Sequence, residues 1–174
     1  MGGLFFTCGL QNICGPCETD GVEYPMHGRI RTTPAEHLCA DSYWDGDNYV
    51  LEVRGEMRES ELFGTNLVLR RTIRSVYGSG RLEIIDRVEN QSPEEAQLML
   101  MYHCNFGYPF LRPGTRLVLP SNSSVYGRKF HEARGDLHTI APFGTEVYRL
   151  SFTILKDARD IAATEAERDR LLEK

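Results

Sequence analysis

The chain has 174 residues, a formal net charge of −5 at pH 7, 41% apolar and 26% charged residues. That length can bury a sizeable core, and the composition is that of an ordinary soluble globular protein. The acidic balance gives no electrostatic ground for nucleic acid or an anionic membrane as a partner, and the longest apolar runs, such as LMLMY (98–102), are too short to span a bilayer.

The start, MGGLFFTCGL, has neither a basic n-region nor a long apolar run, so it does not read as a secretory signal. A cytoplasmic, reducing location is the expectation, and the odd count of five cysteines agrees in arguing against a disulfide framework. Residues 1–48 read as loop, because Gly, Pro, Asp and Asn recur and no apolar period survives. The texture changes at 49. YVLEVRGEMRE (49–59) reads as a strand that loses its pattern near Gly55. NLVLRRTIRSVY (66–77) and RLEIIDRVEN (81–90) alternate apolar with charged residues around the turn GSG (78–80). AQLMLMYHCNF (96–106) reads as one long strand buried on both faces, and TRLVLP (115–120) and TEVYRLSFTIL (145–155) as two more. Period-2 runs joined by short turns predict antiparallel sheets facing each other in a sandwich. Only the tail, DARDIAATEAERDRLLEK (157–174), reads as helix, with Asp157 or Asp160 as cap and few apolar residues to bury. The expected organisation is an all-β sandwich over 1–155 and a helical tail over 156–174.

Cys14-Gly15-Pro16-Cys17 has the letters of a thioredoxin dithiol. Such a dithiol needs a helix N-terminus to lower the pKa of its first thiol. Here ETDGVEYP follows, with Gly21 and Pro25 opposing a long helix and Glu18 and Asp20 opposing a thiolate. Zinc is a second reading, with Cys8, His27, His37 and Cys39 available to complete four ligands, but no second C-x-x-C or C-x-x-H occurs at a suitable distance. A Gly-Pro turn flanked by two small thiols is the reading that remains.

Two histidines stand in less ordinary settings. His27 precedes a glycine in YPMHGRIRTTPAE (24–36), between Pro25 and Pro34 and close to Arg29 and Arg31. His103 and Asn105 alternate on one face of MYHCNFGYPFL (101–111), followed by Phe106, Tyr108 and Phe110. An imidazole at an aromatic-lined strand end suits a general acid, and exposed rings suit the apolar faces of a sugar. A satisfied core histidine at 103 and a loop histidine bonded to backbone at 27 are the competing readings.

TCGLQNICGP, EYPMHGRI, TPAE, VRGEMRESELFGTNLVLRRTI, IIDRVEN and MLMYHCNFGYPFL occur in that order. Together they resemble the aldose 1-epimerase (galactose mutarotase-like) family, in its poorly characterised bacterial branch, over about residues 3 to 118. The resemblance implies a β-supersandwich curved around a sugar cleft. It implies anomer interconversion by acid–base ring opening of a hexose-type sugar, with no metal or organic cofactor. Carried over by motif, His103 matches the general acid and His27 a sugar-contacting histidine. Arg29, Asn105 and Tyr108 follow as substrate-binding candidates.

The family's general base is a glutamate that would stand at 119, where this chain has Leu119. Around that point two separated family segments read as joined, so the sandwich is expected in truncated form. It would lack intervening strands and the usual N-terminal part. Glu132 or Glu146 could stand in for the base, although their spacing recommends neither. Two function classes therefore stay open: a mutarotase, and a non-catalytic carbohydrate-binding module or inactive remnant. Strands missing from a sandwich leave unpaired edges, from which a homodimer follows as an expectation.

Overall fold

The computed structural model describes residues 4–120 and 124–173. Its centre is a five-stranded antiparallel sheet in the order β11-β7-β6-β5-β4, built from β4 (Glu36–Asp45), β5 (Asn48–Ser60), β6 (Asn66–Val76), β7 (Arg81–Asn90) and β11 (Thr145–Thr153). Two-residue alternation gives this sheet two faces. Leu67, Leu69, Ile84 and Val88 lie on the inner face and are buried. The outer face carries ion pairs such as Arg74–Glu83, Arg87–Glu89 and Arg70–Glu89.

Covering the inner face is a second layer. In it β1 (Phe5–Leu10) pairs with β9 (Met99–Cys104), and the short β8 (Ala96–Gln97) pairs with β10 (Thr139–Ile140). A 3-10 turn at Ile30–Thr32 packs beside β1. The main core joins Leu10, Ile30, Ala96, Leu98 and Ile140 of this layer to Leu67, Leu69 and Val88 of the large sheet. The fold is thus an all-β antiparallel sandwich with a C-terminal helix, as the alternation predicts.

Between the layers lies a polar cluster. Asp86, fully buried on the inner face, receives two hydrogen bonds from Arg71 at 2.7 and 2.5 Å and one from the Tyr102 hydroxyl at 2.9 Å. The Arg71 guanidinium also stacks over the Phe5 ring at 5.2 Å. Asp86→Ala would strand a cation and a hydroxyl in the interior. We expect a loss of about 3–5 kcal/mol in urea unfolding.

Several sequence expectations are corrected. Residues 1–48 are not loop: they hold β1, β4 and the hairpin of β2 (Cys17–Thr19) and β3 (Val22–Tyr24). β5 continues through Gly55, which pairs with Arg71 of β6, while the β4 ladder bulges opposite it between Glu36 and Cys39. The 96–106 strand is broken, with Leu98 between β8 and β9. TRLVLP forms no strand, because no neighbouring strand offers a ladder there. Besides the tail, a seven-residue helix α1 (Arg128–Arg134) forms, ending at Gly135 in a left-handed conformation. The tail is helix α2 (Ala158–Leu172), capped by the Asp157 carboxylate, which accepts from the Arg159 and Asp160 amides. None of its residues is buried. Among the described residues, no helix is long and apolar enough to cross a membrane.

Candidate active site

β1 and β9 set the site. Their antiparallel register places Phe6 opposite His103, and the two rings stack with centroids 4.4 Å apart. His27 comes from the loop after β3 and is brought in by backbone bonds. The Gly9 amide donates to the His27 carbonyl at 3.1 Å, and the His27 amide donates to the Cys14 carbonyl at 2.8 Å. His27 itself takes a left-handed φ of +63°, a conformation that persists only where the surroundings impose it. Its ring meets His103 edge to face at 5.5 Å and Phe6 at 5.8 Å.

Both Nδ1 atoms of this histidine pair are buried without a hydrogen-bond partner. Burial, the neighbouring His103 and the Arg31 guanidinium, in that order, hold the His27 pKa below the usual imidazole value. His27 is therefore neutral near pH 7 and able to accept a proton.

The CGPC segment serves this loop. Cys14 takes a left-handed φ of +63° and Cys17 begins β2. A strand follows the motif where a thioredoxin site needs a helix. Buried Asn12 ties the turn to the His27 loop, its side-chain amide donating to the Gly15 carbonyl at 3.1 Å and the Pro25 carbonyl at 2.9 Å. The Cys17 thiol donates to the Asn12 side chain at 3.7 Å. Burial pushes the Cys8 thiol up to about 11, with Cys14 adding to the shift and Arg31 opposing it. Among the described residues, one group of three metal-ligating side chains gathers, and it is Glu36, His37 and Glu56 rather than the cysteines. Glu56 there is already paired with Arg70.

The other sequence candidates are held in different ways. Arg29 spends its guanidinium on the Gln11 side chain and the Glu23 carbonyl, at 3.0 and 3.1 Å. Asn105 stands just past β9 and is exposed, its amide bonded to the Leu4 carbonyl at 2.7 Å. Tyr108 is 90% exposed, and Leu119 is exposed in irregular chain. Glu132 is held by Arg128 and Thr19, and Glu146 by His138 and Tyr148. A hollow of about 650 Å³ is lined by Thr19, Tyr24, Gln97, Arg128 and Glu132 among others, and neither histidine lines it. Arg128 fills its wall, bonded to the Gln11 carbonyl at 2.7 Å and to Gln97, with Tyr24 stacked at 4.3 Å. That hollow reads as a clamp on α1 rather than the reaction site, since its cation and carboxylate are engaged with each other.

Sequence reasoning missed Phe6 and Glu59. Phe6 stands in FFTCGL, a stretch whose sequence alone reads as loop. Glu59, on the inner face of β5 and 8% exposed, accepts from the Leu10 amide at 3.1 Å and from the Ile30 amide. Burial lifts its pKa to about 7, against the pull of those two amides and of Arg29. The carboxyl thus holds its proton more tightly folded than unfolded, so stability falls as pH rises from about 4.5 to 7. Glu59→Gln should flatten that slope and add about 1–3 kcal/mol at pH 8, read from urea melts at several pH values.

Comparison with known proteins bears on the fold and on the family. A search of curated proteins finds no match. Among solved structures, the chain is similar to the crystal structure of a "putative aldose 1-epimerase" from Klebsiella pneumoniae subsp. pneumoniae, with a TM-score of 0.84. The likeness covers 98% of this chain and 67% of that one. At 17% identity it establishes a shared fold. Residues 1–122, which carry β1 to β9 and both histidines, match the model of a domain of unknown function (DUF4432), and the chain belongs to that family.

Proposed function

We propose that the chain binds a hexose-type aldose at the His27–His103 pair and interconverts its anomers by acid–base ring opening. The observation that carries this reading is the pair itself: two imidazoles 5.5 Å apart, Nδ1 atoms buried, with His103 stacked on Phe6 and His27 edge to face with both rings. The fold shared with a protein described as an aldose 1-epimerase supports it.

Mutarotation needs one group to protonate the ring oxygen and another to take the anomeric hydroxyl proton. His103 donates the proton to the ring oxygen as the C1–O bond breaks. His27, held neutral by burial and its cationic neighbours, accepts the hydroxyl proton as the C1 carbonyl forms. Rotation about C1–C2 and the reverse transfers close the ring as the other anomer. In this scheme His27 fills the role left open by Leu119.

A second reading, sugar binding without turnover, is favoured by the engagement of Glu132 and Glu146 elsewhere. NMR exchange spectroscopy on a panel of aldoses separates the two. Accelerated anomer exchange supports the mutarotase. Saturable shifts of the histidine ring resonances without acceleration support the binding module. No shift and no acceleration, in folded protein, would reject both.

A further inference from the structure

The molecule exposes 11659 Å², whereas a compact 19.8 kDa monomer exposes about 8,600 Å². The excess, about 3,000 Å², surpasses the roughly 600–1,000 Å² per partner that a standard interface removes. Part of it belongs to α2 and to the irregular chain over 105–120. Another part is a contiguous apolar corner on the inner face of β4 and β5. Here Trp44 is 69% exposed, Leu38 68%, Val53 45% and Leu51 44%. Cross-strand register makes this one patch: Ala40 faces Val53, Ser42 faces Leu51 and Trp44 faces Tyr49.

β4 is also a sheet edge, and every one of its residues is exposed. Asp45 and Asn48 close a two-residue hairpin, so odd-numbered residues of β4 bond inward to β5 and even-numbered ones face outward. Two contacts agree. The Tyr49 carbonyl accepts from Tyr77 on the β6 side, which leaves Trp44, opposite Tyr49, directed to the free edge. The Ser42 amide donates to its neighbour's carboxylate, Asp41 Oδ1, at 2.7 Å.

We propose that a second copy of this chain docks here, β4 against β4, around a two-fold axis at Ser42. Antiparallel symmetry then pairs Ser42 with its own counterpart and Ala40 with Trp44 of the other copy. Between the bulge at 36–39 and the hairpin, the outward-directed backbone groups of Ala40, Ser42 and Trp44 gain ladder partners. Trp44 lies over the small Ala40 side chain, where a larger residue would not leave room. The contact is isologous and closed, which a self-complementary edge allows. β4 carries no Lys or Pro to prevent it.

Sedimentation equilibrium of the full chain should give twice 19.8 kDa. Ser42→Pro removes an outward amide that the intramolecular ladder does not use, so it should yield a monomer with unchanged circular dichroism. Ser42→Cys, made with Cys39→Ser to remove the nearby thiol, should cross-link to a covalent dimer on oxidation. A wild-type mass of 19.8 kDa would overturn the proposal. So would a dimer that survives Ser42→Pro, or an open-ended series of larger species. Should Ser42→Pro unfold, the cross-link decides: a covalent dimer supports the interface, and its absence in a folded dimer overturns it.

Discussion

Gly28→Ala is expected to leave the chain unable to hold the His27 loop against β1. Gly28 has φ of +72°, and a Cβ added there would lie 2.7 Å from the Gly9 carbonyl carbon, 2.5 Å from the Asn12 carbonyl oxygen and closer still to the Gly9 oxygen. These are backbone atoms and cannot turn aside. Nor can Gly9 retreat, because its own missing Cβ is the space occupied by the Met99 carbonyl of β9. The left-handed conformation alone costs alanine about 1 kcal/mol, and overlap of this depth adds several more. Gly46→Ala is the matched control: φ there is +60° with nothing within 4 Å, so only the conformational cost of about 1 kcal/mol should appear. Urea melts of both variants, with the His27 ring resonance as a local probe, check the contrast. A Gly28→Ala protein as stable as Gly46→Ala would mean that the loop does not dock on β1 as described.

This loop also shows what a sequence can and cannot disclose. His27 and His103 were legible as candidates because HGR and the YHCN strand end stand out from their surroundings. Their meeting was not legible, since it depends on β1, six residues without a clean period-2 alternation. β6, β7 and β11 were readable because each alternates over nine or more residues and has a neighbour to pair with. β4, EHLCADSYWD, has no clean alternation because its edge position and bare inner face relax the demand for it. TRLVLP shows the reverse failure, an alternating run with no partner strand. Glu59 was invisible for a different reason: a carboxylate in a charged strand looks solvated until the 3-10 turn is seen to cover it.

His103→Ala should lower the rate of anomer exchange by about 10²–10⁴-fold, the usual contribution of one positioned proton-transfer group. The same loss is expected of His27→Ala if His27 is the base, and a far smaller one if it only contacts sugar. The pH profile tells these apart. A neutral imidazole base loses activity as it protonates, so the acid limb should fall at a pH below the ordinary imidazole value near 6.5, because burial, His103 and Arg31 all disfavour the His27 cation. Arg31→Gln takes away one of those positive neighbours. The His27 pKa should then rise, and the acid limb should move to higher pH while the rate on the plateau changes little. Arg31 Nε bonds the Met26 carbonyl at 3.0 Å, and a merely structural role there would lower activity at every pH without moving the limb. A limb that stays fixed in Arg31→Gln and persists in the residual activity of His27→Ala would assign the titration to another group and remove His27 from the proton path.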